Sequence, residues 1–401
     1  MSIFENIKNV LREIPLTYRL GTRYRAWQQA RCIEKEQLYY KRKAKRLGLS
    51  DDFSVEEVKK RLAVRLAKRN IHPKTIPEKD LHIVYASRPF AWDDQHIVAA
   101  LKKVADVDIY YYSEYGFNYK EFGNIKARDE MNGHFVDFIR KLHEKHPIDL
   151  ILTYMSGYQI SPEAIGEIND MGIVTSSFFL DDRLIFKGKY ENGHWGGVKE
   201  VCSAYDLNLT QAPESLVKYY AEGGIAMLWP LAANEDFFYP RDIPFRYDVS
   251  FVGTNHGNRE PFINYLRKKG IKVETFGKGW PSGFIPNEKV PEIFSSSRIN
   301  LNFGDIAYTD YQCGKCRDFE IPMCGALMLT TYNEHLAKYF KLDREIFAFR
   351  DKEECLRQIQ RLLSNEDLCE TVRNEARKRA LSEHTWEHRI KSISQVIGYL
   401  G

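Results

Sequence analysis

The 401 residues are 43% hydrophobic, enough to bury the cores of two domains of about 150 residues with an extension left over. No apolar run approaches the roughly 18 to 20 residues that span a bilayer, and Met1-Ser-Ile-Phe-Glu-Asn-Ile-Lys8 lacks a signal-peptide core, so a cytoplasmic protein is expected. The formal net charge of +4 is unevenly held: residues 1–75 contain 19 Lys and Arg against 8 Asp and Glu, and the remainder 40 against 47.

Residues 1–78 read as a basic helical extension. Phe4, Ile7, Val10, Leu11 and Ile14 recur at helical spacing, Pro15 interrupts, and an apolar, basic stretch runs from Tyr24 to Leu47. Ser54-Val-Glu-Glu57 matches a capping box ahead of Val58, Leu62 and Leu66, and His72-Pro-Lys-Thr-Ile-Pro77 has the turn chemistry of a linker. The excess charge of residues 1–75, densest in Lys41-Arg-Lys-Ala-Lys-Arg46, suits a solvated helix face, an anionic membrane surface or a nucleic-acid backbone, the last least favoured.

From Leu81 onward, short apolar runs alternate with longer amphipathic ones. The stretches 81–86, 107–112, 149–154, 173–178, 206–210 and 225–229 predict buried strands, with crossover helices such as 95–104 and 132–145. An aromatic and Pro-rich break at 234–244 precedes a second series of strands at 247–253, 272–277, 299–303, 326–330 and 345–350. The expected fold is α/β: two Rossmann-like domains, 79–238 and 239–384, facing a cleft, with a terminal helix over 385–401. Ligands of such sheets bind at the carboxyl ends of the strands.

Candidate chemistry in the first domain is ambiguous. Asp182, in Asp181-Asp182-Arg183 beyond a strand end, suits a general base or a ligand of acceptor hydroxyls, and equally a helix cap or a partner for Arg183. Asp93-Asp94 poses the same choice, with an N-cap before Gln95 preferred. His194 sits in a loop where imidazole catalysis competes with plain packing. Asp106-Val-Asp108 looks like a metal-binding pair only on paper, because Val107 begins a strand and leaves both carboxylates at its edge.

The second domain is more informative. Gly253-Thr-Asn-His-Gly-Asn-Arg259 follows a strand and opens a helix, so Gly253, Asn255 and Arg259 are candidates for a phosphate cradle, against a turn that binds nothing. Gly277-Lys-Gly-Trp280 borders the same region. Lys315-Cys-Arg-Asp-Phe-Glu-Ile-Pro-Met-Cys-Gly325 places two cations and a carboxylate around the start of a short helix, where amide donors and the dipole favour an anion. Lys315 and Arg317 suit a diphosphate, Glu320 suits sugar hydroxyls one turn on, and Gly325 permits a tight turn into the next strand. Cys313-Gly-Lys-Cys316 lacks the second ligand pair of a structural zinc, and seven unpatterned cysteines fit reduced thiols.

Taken in order, Lys315, Arg317, Phe319, Glu320 and Gly325, together with Tyr247–Thr254, Asn258-Arg259, Ala204–Thr210, Pro230–Asn234, Phe238–Pro240 and Glu383–Arg389, resemble the CgeB-like branch of the group-1 glycosyltransferases, of GT-B architecture. The resemblance spans roughly residues 80–400. It implies a hexosyltransferase-like enzyme that moves sugar from a nucleotide-diphosphate-sugar donor to a glycan, lipid-linked or protein acceptor of the cell envelope, with no metal or further cofactor. It also implies that Lys315, Arg317 and more weakly Arg259 hold the diphosphate, that Glu320 holds donor hydroxyls, and that the terminal helix returns to the N-terminal domain. The family's first glutamate falls at Gln312, which carries no charge; Asp310 is a nearby substitute. That departure leaves a non-catalytic nucleotide- or glycan-binding protein as the competing expectation. The basic extension adds peripheral attachment to the inner membrane face as an expectation, and nucleic-acid binding as a third one.

Overall fold

The computed structural model describes residues 15–90, 93–306, 309 and 311–400. The chain forms two compact units, Glu36–Asn234 with Thr385–Gly401, and the described part of Met1–Lys35 with Glu235–His384.

The first unit is built on an all-parallel sheet of β1 (His82–Ser87), β2 (Asp106–Tyr111), β3 (Leu150–Thr153), β4 (Val174–Phe179), β7 (Leu207–Thr210) and β8 (Ala226–Leu228). Their order is β2-β1-β3-β4-β7-β8, and β5 (Tyr190–Glu191) pairs antiparallel with β6 (His194–Trp195) in a separate hairpin. Strands covered on both faces read as continuous apolar runs, and β1, β3 and β7 are buried at every position. The helix Ile125–Lys145 buries Met131, Phe135 and Ile139, four residues apart, against Val84, Tyr110 and Ile151 of the sheet. Each such side chain contributes about 1.5 to 3 kcal/mol of burial. On the edge strand β2, Asp108 bonds His82 Nε2 at 2.9 Å.

Residues 36–78, expected as an extension, belong to this unit. The helix Val55–Ala67 is capped by Ser54, whose hydroxyl accepts from Glu57 N–H at 3.4 Å. Only half of the capping box forms, because the Glu57 carboxylate takes Arg61 instead and Ser54 N–H bonds Asp52. Arg65 and Arg69 both bind the fully buried Asp206, which anchors the segment and consumes part of its charge. The turn at 72–77 likewise lies inside the unit, with Ile76 N–H bonding Tyr399 O at 2.8 Å. Pro15, read as a break, is the first described residue of a helix, Pro15–Arg46; Phe4, Ile7, Val10, Leu11 and Ile14 lie outside the described residues. The helix Trp386–Ile397, capped by Thr385, docks through Trp386 Nε1 on His96 Nδ1 and by its Arg389 carbonyl on Trp229 Nε1, both at 2.9 Å.

The second unit has a five-stranded parallel sheet of β9 (Tyr247–Val252), β10 (Val273–Phe276), β11 (Ser297–Asn302), β12 (Met328–Thr331) and β13 (Phe347–Phe349), in the order β10-β9-β11-β12-β13. Val249, Phe251, Ile299, Leu301, Leu329 and Phe347 form its core. In both sheets the first strand lies between the second and the third, so chain direction across the sheet reverses there and opens a crevice at the strand carboxyl ends. No described helix is long and apolar enough to cross a membrane.

Candidate functional site

Each unit has a cavity at its own switch point. In the second unit a cavity of about 320 Å³ is walled on one side by Phe251–Thr254 at the end of β9 and on the other by Asn302 and Phe303 at the end of β11. Four basic residues, His256, Arg259, Lys315 and Arg317, complete the wall.

Arg259 opens the helix Arg259–Lys268 and is 8% exposed. Its guanidinium donates to Thr254 O at 3.0 Å, to Asp305 Oδ1 at 3.2 Å and to Phe303 O at 3.4 Å, tying the ends of β9 and β11 together. Burial and then the nearby Arg317 hold its pKa down, while Asp305 opposes them. Arg317 is the first residue of the helix Arg317–Met323, and its buried Nε has no hydrogen-bond partner among the described residues. Lys315 has no ion-pair partner there either, although its backbone is fixed: Asp318 Oδ2 accepts Lys315 N–H at 2.7 Å, and Asp318 Oδ1 accepts Asn302 Nδ2 at 2.6 Å. Two guanidinium groups and a lysine amine therefore meet in one crevice, with Asp305 as the carboxylate that bonds one of them. Such a site has a charge deficit that a diphosphate matches in sign and in number of acceptors.

The other predicted residues divide. Gly253 lines the cavity, whereas Asn255 turns away, its amide donating to Gly279 O at 3.1 Å. The 277–280 loop supports the cradle from behind: Trp280 Nε1 donates to Gly253 O at 2.8 Å, and Asn255 N–H to Lys278 O at 2.8 Å. Gly277, at φ +123°, is required there, since a Cβ would stand 2.5 Å from Gly253 O. Glu320 is 6% exposed, one turn beyond Arg317, and is not among the cavity-lining residues. Burial pushes its carboxyl up to about 7, with Arg317 pulling down and Asp318 pushing up. Burial also raises Asp318 to about 6. Gly325 closes the helix at φ +60°. Gln312 accepts from Thr331 Oγ1 at 2.7 Å, a bond a glutamate would equally accept; Asp310 lies outside the described residues. Cys313 and Cys316 are free thiols, and burial holds the Cys316 thiol protonated.

In the first unit a cavity of about 440 Å³ lies beyond β1 and β3, with Arg88 and Phe90 after one strand and Tyr154, Ser156 and Tyr158 after the other. Tyr119, Phe122 and Phe179 extend its aromatic lining, and Arg88 lies against Phe90 and Tyr119 at 4.5 and 5.0 Å from the ring centroids. His194, placed by the β5–β6 hairpin, lines it with a buried Nδ1 that has no hydrogen-bond partner among the described residues. Of the predicted aspartates, Asp181 stands in the wall. Asp182 is fully buried beneath it, accepting Tyr219 O–H at 2.8 Å, and burial raises its carboxyl to about 6. Asp93 is buried too and accepts Phe90 N–H at 3.1 Å, securing the turn after β1 rather than capping the next helix.

Sequence reasoning missed Thr254, His256, Asn302, Asp305 and Asp318 around the first cavity and Arg88, Tyr119 and Tyr154 around the second. For Thr254, Asp305, Arg88 and Tyr154 the signal was position, one to three residues past a strand end at the switch point.

Residues 259–395, which contain Arg259, Lys315, Arg317 and Glu320, match the family model described as Glycosyl transferase-like. No curated protein matches the sequence. Among solved structures, sucrose-phosphate synthase from Thermosynechococcus elongatus is 13% identical at a TM-score of 0.54, covering 79% of this chain and 98% of that one. A glycosyltransferase from Rickettsia africae is 10% identical at 0.53, covering 79% and 97%. Anabaena HepE in complex with UDP is 8% identical at 0.53, covering 79% and 99%. At these identities the likeness is one of fold, and the fold is GT-B, two Rossmann-like α/β domains, with the glycosyl transferase-like match over residues 259–395.

Proposed function

We propose that the protein is a glycosyltransferase that takes a sugar from a nucleoside-diphosphate donor bound in the cavity of the five-stranded unit. The observation that carries this reading is the convergence of Arg259, Lys315 and Arg317 on the switch-point crevice, with a buried Arg317 Nε awaiting an acceptor. The glycosyl transferase-like match over the same residues supports it.

The chemistry follows from charge. As the bond between the anomeric carbon and the diphosphate lengthens, the sugar ring becomes oxocarbenium-like and negative charge grows on the departing phosphate oxygens. Lys315, Arg317 and the two guanidinium donors that Arg259 has left stabilise that charge more than the ground state. Glu320 is assigned to hydroxyls of the donor, on the strength of its place one turn after Arg317 and of the family resemblance. The acceptor is assigned to the aromatic-lined cavity of the six-stranded unit, where ring faces of Tyr119, Tyr154 and Phe179 suit the C–H face of a saccharide. His194, in that wall, is the candidate base that takes the proton of the attacking hydroxyl. Asp182 contributes by holding the loop that carries Asp181, through its Tyr219 bond.

HepE was solved with UDP, so UDP heads the panel. Thermal unfolding is measured with UDP, GDP, ADP, CDP and dTDP, for wild type and Lys315→Ala. A stabilisation selective for one base and weakened in Lys315→Ala is expected. Silence across the panel would remove the donor site and with it the transferase.

A further inference from the structure

The helix Pro15–Arg46 has two faces of different character. Ile33, Tyr40 and Ala44 are buried, and Tyr40 packs edge-on against Phe186 in a cluster with Tyr219 and Tyr220. On the opposite side Tyr24, Trp27, Arg31, Lys35, Leu38, Arg42 and Lys45 recur every three or four residues, so they form one stripe, and all seven are exposed. Trp27 is 52% exposed, Tyr24 58% and Leu38 49%, unusual values for side chains of their size.

The charges are sorted in the same way. The acidic residues of this stretch are taken by the protein itself: Glu36 pairs with Lys218 at 2.8 Å, and Glu34 accepts Tyr311 O–H at 3.1 Å. Lys43, off the stripe, pairs with Glu222 at 2.8 Å. Arg31, Lys35, Arg42, Lys45 and the adjacent Arg46 have no ion-pair partner among the described residues. Arg31 lies against the Trp27 ring, 4.5 Å from its centroid, so the cation and the aromatic present together.

We propose that this stripe docks the protein on an anionic lipid surface. Cations at headgroup level, with Trp and Tyr at the interface and an aliphatic side chain among them, is the composition such a surface selects. A polyanion without an apolar layer would match the charges but leave Leu38 in water. The proposal stands apart from the donor site and does not depend on it.

The test is sedimentation of the full chain with vesicles of phosphatidylserine and phosphatidylcholine, against vesicles of phosphatidylcholine alone, over a series of salt concentrations. Binding to the anionic vesicles alone, falling with salt, is expected. Arg42→Ala with Lys45→Ala should weaken it on the order of 25-fold, about fivefold for each cation. Trp27→Ala should weaken it while leaving its salt dependence in place. All three side chains are exposed, so helix content by circular dichroism and the melting temperature should stay those of wild type. Equal binding to both vesicle types, binding to neither, or unchanged binding by the variants would overturn the proposal. So would binding to a single-stranded oligonucleotide in place of vesicles, or a dimer lost on Trp27→Ala.

Discussion

Arg317→Ala separates a binding cation from a structural one. The buried Nε of Arg317 makes no hydrogen bond among the described residues, and its charge repels that of Arg259, which is held below its ordinary pKa partly for that reason. Its attraction for the buried Glu320 and Asp318 offsets that repulsion, so truncation leaves the folded protein without ligand close to wild-type stability. With nucleotide the effect reverses, because a charge-assisted bond to phosphate is lost, worth about 2 kcal/mol, or roughly 30-fold in affinity. At a UDP concentration about 100 times the wild-type dissociation constant, wild type gains about 2.7 kcal/mol, and a 30-fold weaker variant gains only about 0.9 kcal/mol. Paired melting curves with and without UDP read both quantities. A variant that is destabilised equally in both conditions, or that keeps the full ligand-induced gain, would refute the assignment of Arg317 to the diphosphate.

Other substitutions probe neighbouring links. Gly277→Ala, forced to φ +123° with its Cβ against Gly253 O, should lose about 2 kcal/mol of stability and weaken UDP as well, read by the same melts. His194→Ala should lower turnover on the order of 100-fold with the donor KM unchanged, whereas Asp182→Ala should instead cost about 2 kcal/mol of stability by stranding the Tyr219 hydroxyl, so kinetics and melting together distinguish the two. The carboxyl of Glu320 titrates near 7 when folded and at 4.5 by its ordinary value, so between these the folded state holds a proton that the unfolded chain releases, and stability falls as pH rises through that window. Glu320→Gln should flatten that decline in a series of denaturation midpoints against pH.

Both sheets were legible because parallel strands covered on two faces have little freedom of composition: 81–86 and 326–330 are largely apolar runs and became β1 and β12 with one- or two-residue shifts at their ends. The β5–β6 hairpin was not, since two-residue strands carry no periodicity, and it is that hairpin which brings His194 to a cavity. Lys315, Arg317 and Arg259 could be selected as candidates because cations beside a strand-to-helix turn have few other purposes. Which of two adjacent residues reaches a cavity, however, depends on the path of the loop. Asn255 turns to Gly279 while Thr254 and His256 line the wall, and Asp181 is in the wall while Asp182 lies beneath it. Asp318 carries no signal in the sequence because its partners, Lys315 N–H and the Asn302 side chain, are joined only by folding. In the basic segment, composition recorded the charge but not its sorting, with Arg65 and Arg69 paired to the buried Asp206 and Arg31, Arg42 and Lys45 left outward.

The most direct measurement is release of nucleoside diphosphate from sugar nucleotides, beginning with UDP-sugars, by wild type and Lys315→Ala with and without a saccharide acceptor. Release by wild type that rises with acceptor and is lost in Lys315→Ala is the expected result. Tight nucleotide binding with no release from any sugar nucleotide would contradict catalysis and leave a binding protein of the same fold.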